Sequence, residues 1–290
     1  MKDKLVSVVI LTWNRCCDLS ETLREVEKST YSALEILVVD NCSTDGTAEM
    51  VKKQFPDVTF IALDENVGIA GYNVGFKKAK GEYILVLDND SFPEINSIKK
   101  MVGYFEEFPT LGVAAFDVKN YCEKERQLEF GPGQGETATG YNGAGAGIRR
   151  SCLDKAGALF EPFFLYMNEQ DHALRVLQSG YGIRWFPDLV AFHKQSASSR
   201  SSEKMAYFYT RNLLWMIWRN YPLFLMFRST FLIFFFAVLY SVKLRNKVYF
   251  RAISDAVVGL KRIVPARSPV DRKIIGNARI PLSLAFSVYG

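Results

Sequence analysis

Residues Tyr83-Ile84-Leu85-Val86-Leu87-Asp88-Asn89-Asp90 deliver two carboxylates directly after an unbroken apolar run. Such a run, following the turn at Lys80-Gly81, is the pattern of a strand buried on both faces, as in a parallel sheet. The acids then stand at the strand's C-terminal end, the edge along which ligands bind in open parallel α/β sheets. Carboxylates two residues apart there suit one hard divalent cation, Mg²⁺ or Mn²⁺, bound together with a substrate phosphate. Asp-Asn-Asp is also ordinary turn chemistry, so the pair gains meaning only from groups that converge on it. Asn168-Glu169-Gln170-Asp171 supplies a second acidic set, opening a helix expected over residues 169–179, where acids also complement the helix dipole. His193, one of two histidines, closes a short strand, and an imidazole beside two carboxylates is a common ligand set for a catalytic divalent metal. His172 is expected on the surface.

The elements that must position these residues are legible as a repeat. Strands are expected over residues 5–11, 35–39, 58–63 and 83–88, with helices between them at 18–28, up to about 54, and up to 78. The order βαβαβαβ predicts a Rossmann-like, doubly wound, mostly parallel sheet. A helix at 96–107, a strand at 112–118, a short helix at 151–156 and two short strands at 182–186 and 189–193 continue it. The turn after the first strand, Thr12-Trp13-Asn14-Arg15, contains no glycine, and no Walker A sequence occurs, so a dinucleotide-binding oxidoreductase and a P-loop enzyme are both disfavoured. Residues 131–147 hold seven glycines, but no buried strand feeds them. They are read as a mobile functional loop followed by a thin strand.

Charge is divided unevenly. The last 90 residues hold fourteen Lys and Arg against Glu203, Asp255 and Asp271, a net +11, so the overall +5 leaves −6 for the first 200. A basic tail points to a polyanion, and the tail's aromatic residues cluster with aliphatics between Met205 and Val242, which favours an anionic lipid surface over nucleic acid. Arg228 interrupts the most apolar stretch and leaves a 14-residue run at 229–242, short of the roughly 20 residues that span a bilayer. A peripheral, interfacial helix is therefore expected. The five cysteines form no CxxC pair, and the N-terminal residues show no secretory pattern, so a reducing, cytoplasmic setting is expected.

Taken together, over residues 4–265, the chain resembles family 2 glycosyltransferases of the GT-A fold, in particular their rhamnosyltransferase-like branch. The Thr-x-Asn-Arg turn is present as Thr12, Asn14 and Arg15. Asp40 ends the second strand, the segment Asn66-x-Gly68-x-x-x-x-Asn73-x-Gly75 follows, and Asp88-Asn89-Asp90 matches the family's Asp-x-Asp metal motif. The resemblance implies a nucleotide diphospho-sugar donor bound by Thr12, Asn14, Arg15, Asp40, Asn66, Gly68, Asn73 and Asp88. It also implies Mn²⁺ or Mg²⁺ on Asp90, Asp88 and His193. The family's usual base is the Asp of a Glu-Asp-x-Asp-Leu-x-x-Arg block. Here Asn168-Glu169 replaces the first two residues, so Glu169 is the expected base and Asp171 the fallback.

These expectations describe an inverting transferase that moves a sugar from dTDP-rhamnose or a UDP-sugar to a hydroxyl of a glycan acceptor, lipid-linked and at the cytoplasmic face of the inner membrane, in cell-surface polysaccharide or glycolipid assembly. Residues 1–200 are assigned to the GT-A domain, with a nucleotide half to about 118 and an acceptor half beyond. Residues 201–265 are assigned to the membrane-associating helices and 266–290 to a C-terminal tail; a homodimer is left open. Two rivals stand beside this reading: a sugar nucleotidyltransferase, whose first loop would need a Gly-rich phosphate cradle, and a catalytically inactive carbohydrate-binding scaffold on the membrane.

Overall fold

The structure, a computed structural model, describes residues 3–121, 138–194 and 202–278, together with Ile280, Leu282 and Phe286. The glycine-rich segment at 131–137 lies outside the described residues.

Alternation of buried apolar strands with amphipathic helices builds the first half. The elements are β1 (Val6–Thr12), α1 (Cys16–Glu27), β2 (Leu34–Asp40), α2 (Thr47–Gln54), β3 (Thr59–Ala62), α3 (Gly71–Lys78) and β4 (Tyr83–Asp88). Val6, Val8, Val9 and Ile10 of β1 and Ile84, Leu85 and Leu87 of β4 are all fully buried. Each such side chain favours the fold by about 1.5–3 kcal/mol, so the sheet centre is where the chain gains most from burial. These strands pair in parallel in the order β3-β2-β1-β4.

Beyond β4 the sheet changes sense. After β5 (Ser91–Pro93) and α4 (Ser97–Glu107) come β6 (Leu111–Asn120), β7 (Ala146–Arg149), α5 (Arg150–Ala156), α6 (Asn168–Gln178) and β8 (Gly182–His193). β7 lies antiparallel between β4 and β6, and β8 is parallel to β6. The eight strands run β3-β2-β1-β4-β7-β6-β8-β5. The two short strands expected at 182–186 and 189–193 are one element, bent where its register against β6 shifts between Phe116 and Asp117. The antiparallel pair β5–β8 sets Ser91 opposite His193, which brings the end of the last strand beside the acids that follow β4.

The C-terminal part is helical: α7 (Ser202–Asn220), α8 (Leu223–Leu244), α9 (Val248–Val258), α10 (Leu260–Ile263) and α11 (Arg272–Ala278). α7 is no loose appendage. Its Leu213, Leu214, Met216 and Ile217 are fully buried, in one apolar cluster with Phe163, Met167 and Leu174 around α6 and with Tyr249 and Ile253 of α9. α8 differs. Arg228 does not interrupt it, and the helix runs unbroken for 22 residues, about 33 Å at 1.5 Å per residue. It buries only the stripe Ser229, Ile233, Ala237 and Ser241, spaced four apart on one face. Phe224, Phe227, Phe231, Phe235 and Val242 stand 51–72% exposed on the rest.

Candidate active site

At the C-terminal ends of β1, β2 and β4 a cleft of about 610 Å³ opens between the sheet and the start of α6. Asp88 and Asp90 lie on its floor because the buried run of β4 ends there. His193 joins them from β8: its Nε2 is 3.1 Å from Asp90 Oδ1 and 3.8 Å from Asp88 Oδ2. One ligand atom from each of the three lies within 4.8 Å of the other two. Carboxylate oxygens with a single imidazole are a donor set that fits Mn²⁺ or Mg²⁺. The floor is braced from behind. The Tyr72 hydroxyl sits 2.7 Å from Leu87 O and 3.1 Å from Asp88 Oδ1, and the Asp88 amide donates to Ser91 Oγ at 2.9 Å. Burial, and then the Asp88 charge, push the Tyr72 phenol well above its ordinary value, so it stays protonated and able to donate.

One end of the cleft is a knot of side chain to backbone bonds. Thr12, Asn14, Arg15, Asn66 and Gly68 all line the cleft. Asn14 has a positive φ of 51° and ties two loops together: its amide donates to Ser43 Oγ at 2.8 Å, and its Oδ1 accepts from the Thr44 amide at 2.7 Å. Asp45 receives the Cys16 amide at the start of α1. Asp40 is buried, and its carboxylate accepts from the Ser43 hydroxyl at 2.5 Å and the Ser43 amide at 3.1 Å. Its neighbour Asn41 lines the cleft instead and donates to Gly68 O at 3.0 Å. Asn73 is also buried away from the cleft lining, where its carboxamide exchanges two hydrogen bonds with the backbone of Leu159. Asp40 and Asn73 thus brace the loops at this end of the cleft from beneath.

On the opposite wall stand Glu169, Tyr141, Asn142, Gly143 and Tyr166. Glu169, in the first turn of α6, is half-buried and faces Gly143, where an added Cβ would lie 2.7 Å from Glu169 Oε1. Asp171 points the other way. It is fully buried, one oxygen held by Arg175 Nε at 3.1 Å and Arg219 Nη1 at 2.5 Å, the other by Asn220 Nδ2 at 2.7 Å. Burial alone would raise its carboxyl, but the Arg175 and Arg219 charges and these hydrogen bonds outweigh that and hold it below its ordinary value. His172, expected on the surface, is fully buried, with Nδ1 2.7 Å from the Tyr141 hydroxyl. Burial, followed by the Arg175 charge, lowers it to about 3, so the neutral ring accepts that hydroxyl.

The turn before α6 is strained. Phe164 has φ 66° and ψ −57°, and Leu165 N donates to Phe163 O at 2.8 Å, which makes a γ-turn of the rarer hand. Tyr166 and Met167 also have positive φ, 63° and 66°. Non-glycine residues in such regions cost on the order of 1–3 kcal/mol each, so the surroundings must enforce them. Phe164 O accepts from Ile69 N at 2.8 Å, and a Cβ on Gly68 would collide with that carbonyl, so the loop at residues 66–69 and the turn meet at a glycine.

Tyr72 and the bracing role of Asn41 carry no signal of their own in the sequence, whereas Gly143 falls in the glycine-rich stretch expected to be functional.

Residues 7–169 match the family described as Glycosyl transferase family 2. The chain is similar to an uncharacterized glycosyltransferase of Nostoc sp., 31% identical over 112 residues, covering 37% of this chain and 35% of that protein. It is similar as well to the UDP-Glc:alpha-D-GlcNAc-diphosphoundecaprenol beta-1,3-glucosyltransferase WfaP of Escherichia coli, 26% identical over 210 residues, covering 69% of this chain and 81% of that one. The chain thus spans about a third of the length of the first relative and about four fifths of the second. Among solved structures, the mannosyltransferase of Pyrobaculum calidifontis in complex with GDP-Man and Mn²⁺ superposes with a TM-score of 0.62 at 16% identity, covering 100% of this chain and 87% of that one. The shared architecture is the GT-A fold.

Proposed function

The chain belongs to glycosyl transferase family 2, and from that membership we propose that it is a metal-dependent, inverting enzyme using a pyrimidine nucleotide diphospho-sugar, a UDP-sugar or dTDP-rhamnose, as donor. The observation that carries the reading is the convergence of Asp88, Asp90 and His193 on one point across the cleft from Glu169. Mn²⁺ or Mg²⁺ held by those three would supply Lewis-acid stabilisation of the departing diphosphate. Asn41 and the Thr12–Arg15 loop hold the nucleotide, and Asp40 braces that end of the cleft from beneath. Glu169 accepts the proton of the acceptor hydroxyl as its oxygen attacks the anomeric carbon; the bond to the nucleoside diphosphate breaks, and the carbon's configuration inverts. A positioned general base of this kind contributes on the order of 10²- to 10⁴-fold.

The acceptor is a lipid-linked glycan, met at the cytoplasmic face of the inner membrane. The diphosphoundecaprenol acceptor in the Escherichia coli relative's name supports this. So does α8, whose exposed phenylalanines stand among Arg228, Lys243, Arg245 and Lys247, with no acid on the helix. α8 is long enough to cross a bilayer. In-plane binding is favoured because α9, which follows it, packs back on α7: Trp215 Nε1 donates to Ala256 O at 2.9 Å, and the Tyr207 hydroxyl to Asp255 Oδ2 at 2.6 Å. A crossing would carry α9 to the far side and break that packing.

The test is nucleotide release from a panel of UDP-, dTDP- and GDP-sugars with Mn²⁺, Mg²⁺ or EDTA. Release from one pyrimidine donor, dependent on metal and lost in Asp90→Ala, is expected. Release that survives both EDTA and Asp90→Ala would remove the metal-dependent mechanism.

A further inference from the structure

The Glu169 wall of the cleft hangs on a turn that its own residues do not favour. Phe164, Tyr166 and Met167 all hold positive φ, and Met167 is the residue that caps α6, one position before Asn168 and two before Glu169. Inside the turn the backbone closes the γ-turn with the bond from Leu165 N to Phe163 O. What encloses it comes from α7, forty or more residues later in the chain.

Asn212 of α7 is fully buried, and its Nδ2 lies 3.0 Å from Phe163 O, 2.5 Å from Leu165 O and 3.1 Å from Tyr166 O. One amide group thus faces three carbonyls that converge because the turn is folded so tightly. Its neighbour Arg211 donates to Phe163 O at 2.8 Å and to Asn212 Oδ1 at 3.0 Å, which fixes the carboxamide's orientation with the amide nitrogen toward the turn. Arg211 is itself packed among aromatic rings, its guanidinium 4.4 Å from the Trp215 centroid and 4.8 Å from that of Phe208. On its other side the turn touches the nucleotide loop through Phe164 O and Ile69 N. The turn therefore joins three things: the donor loop, the start of α6, and α7.

We infer that Asn212 is a positioning residue for the transfer step: its carboxamide locks the 163–167 turn and so sets where the Glu169 carboxylate stands relative to the bound donor. The inference rests on the reading of Glu169 as general base. It makes α7 part of the catalytic apparatus, although it lies beyond the last strand of the sheet. Without the Nδ2 donors, the three carbonyls lose their common partner, the positive φ values relax, and Glu169 loses its fixed place. The floor of the cleft, built on β4 and β8, is untouched.

The full-length chain is compared as wild type, Asn212→Ser, which keeps one hydroxyl donor, and Asn212→Ala. Binding of UDP with Mn²⁺ and turnover of the donor are measured per folded molecule, with hydrogen exchange of the backbone followed peptide by peptide. The expected result is UDP affinity within twofold in both variants, kcat lowered at least tenfold in Asn212→Ala and by a smaller factor in Asn212→Ser. Exchange should quicken in the peptide covering residues 163–169 while β1 and β4 stay protected. A merely structural role would lower thermal stability and leave kcat per folded molecule within twofold, and that result overturns the proposal. Unchanged exchange at 163–169 overturns it as well. If Asn212→Ala fails to fold, Asn212→Ser decides on the same criteria. If the wild type turns over no sugar nucleotide, the transferase reading has failed, and the exchange comparison alone decides whether Asn212 holds the turn.

Discussion

In the proposed mechanism Glu169 would act as base only while its carboxylate has room to reach the acceptor, and Gly143 leaves that room. A methyl group at 143 would lie 2.7 Å from Oε1 and must push the carboxylate aside. Misplacement of a reacting group by about 1 Å can cost on the order of 10²-fold in rate. Gly143→Ala is therefore expected to lower kcat by roughly that factor and to leave nucleotide binding within twofold. Glu169→Gln, which keeps the shape and removes the base, is expected to lose about 10²- to 10⁴-fold. Steady-state kinetics on both variants checks this. A Gly143→Ala enzyme with unchanged kcat would mean that the Glu169 position is immaterial. Asp171, two residues on, shows how adjacent acids on one helix divide their work: a rotation of about 200° at 100° per residue sends it away from Glu169, into the interior where two arginines wait.

That division ties α6 to α7. Asp171 bonds Arg175 within its own helix and Arg219 and Asn220 at the end of α7, so one buried carboxylate holds two cations. Removing one partner of a buried ionic set leaves the others uncompensated, and Asp171→Asn is expected to destabilise the fold by about 3–5 kcal/mol. The sign of the pH dependence follows from the lowered carboxyl. Because the folded-state value lies below the ordinary 3.8, the unfolded chain takes up the proton first. The contribution is complete above that value and is lost as the pH falls through the folded one. Denaturant unfolding of wild type and Asp171→Asn should therefore differ at neutral pH and converge in strong acid; a constant difference would deny the ionic origin. Much of the element order was readable from the sequence, since β4 is an unbroken apolar run, β1 is apolar from Val8 to Leu11, and α1 keeps Leu19, Leu23 and Val26 on one face. The placement of Asn73 and His172 was not. Their local pattern suits a loop or a surface, and only contacts with Leu159 and Tyr141, far away in sequence, bury them. Asn212 was illegible for the same reason: an Asn inside a largely apolar helix carries no spacing signal.

At the scale of the whole molecule, the chain brings the cleft floored by Asp88, Asp90 and His193 together with a phenylalanine-rich helix flanked by basic residues. The first 200 residues carry net negative charge and the last 90 carry +11; within the latter α7 buries Trp215 and partly buries Tyr207, Tyr209 and Trp218 in the cluster it shares with α6 and α9. The tail's composition was visible in the sequence. Its division into one helix that packs inward and one that faces out was not, because both are rich in Phe, Tyr and Leu. α8 presents Phe224, Phe227, Phe231 and Phe235 outward, and burying apolar surface of this kind in a lipid interface, with Lys and Arg on anionic headgroups, favours a peripheral position. The measurement that bears most directly on the account is transfer of a labelled sugar from its nucleotide donor into polyprenyl-diphosphate glycan presented in anionic vesicles. It is run with Mn²⁺ or EDTA, on wild type and on Asp90→Ala. Label is expected in the lipid fraction with wild type and Mn²⁺, and none with EDTA or with Asp90→Ala. Wild-type protein that binds the vesicles yet leaves every sugar nucleotide intact in the presence of metal would contradict it.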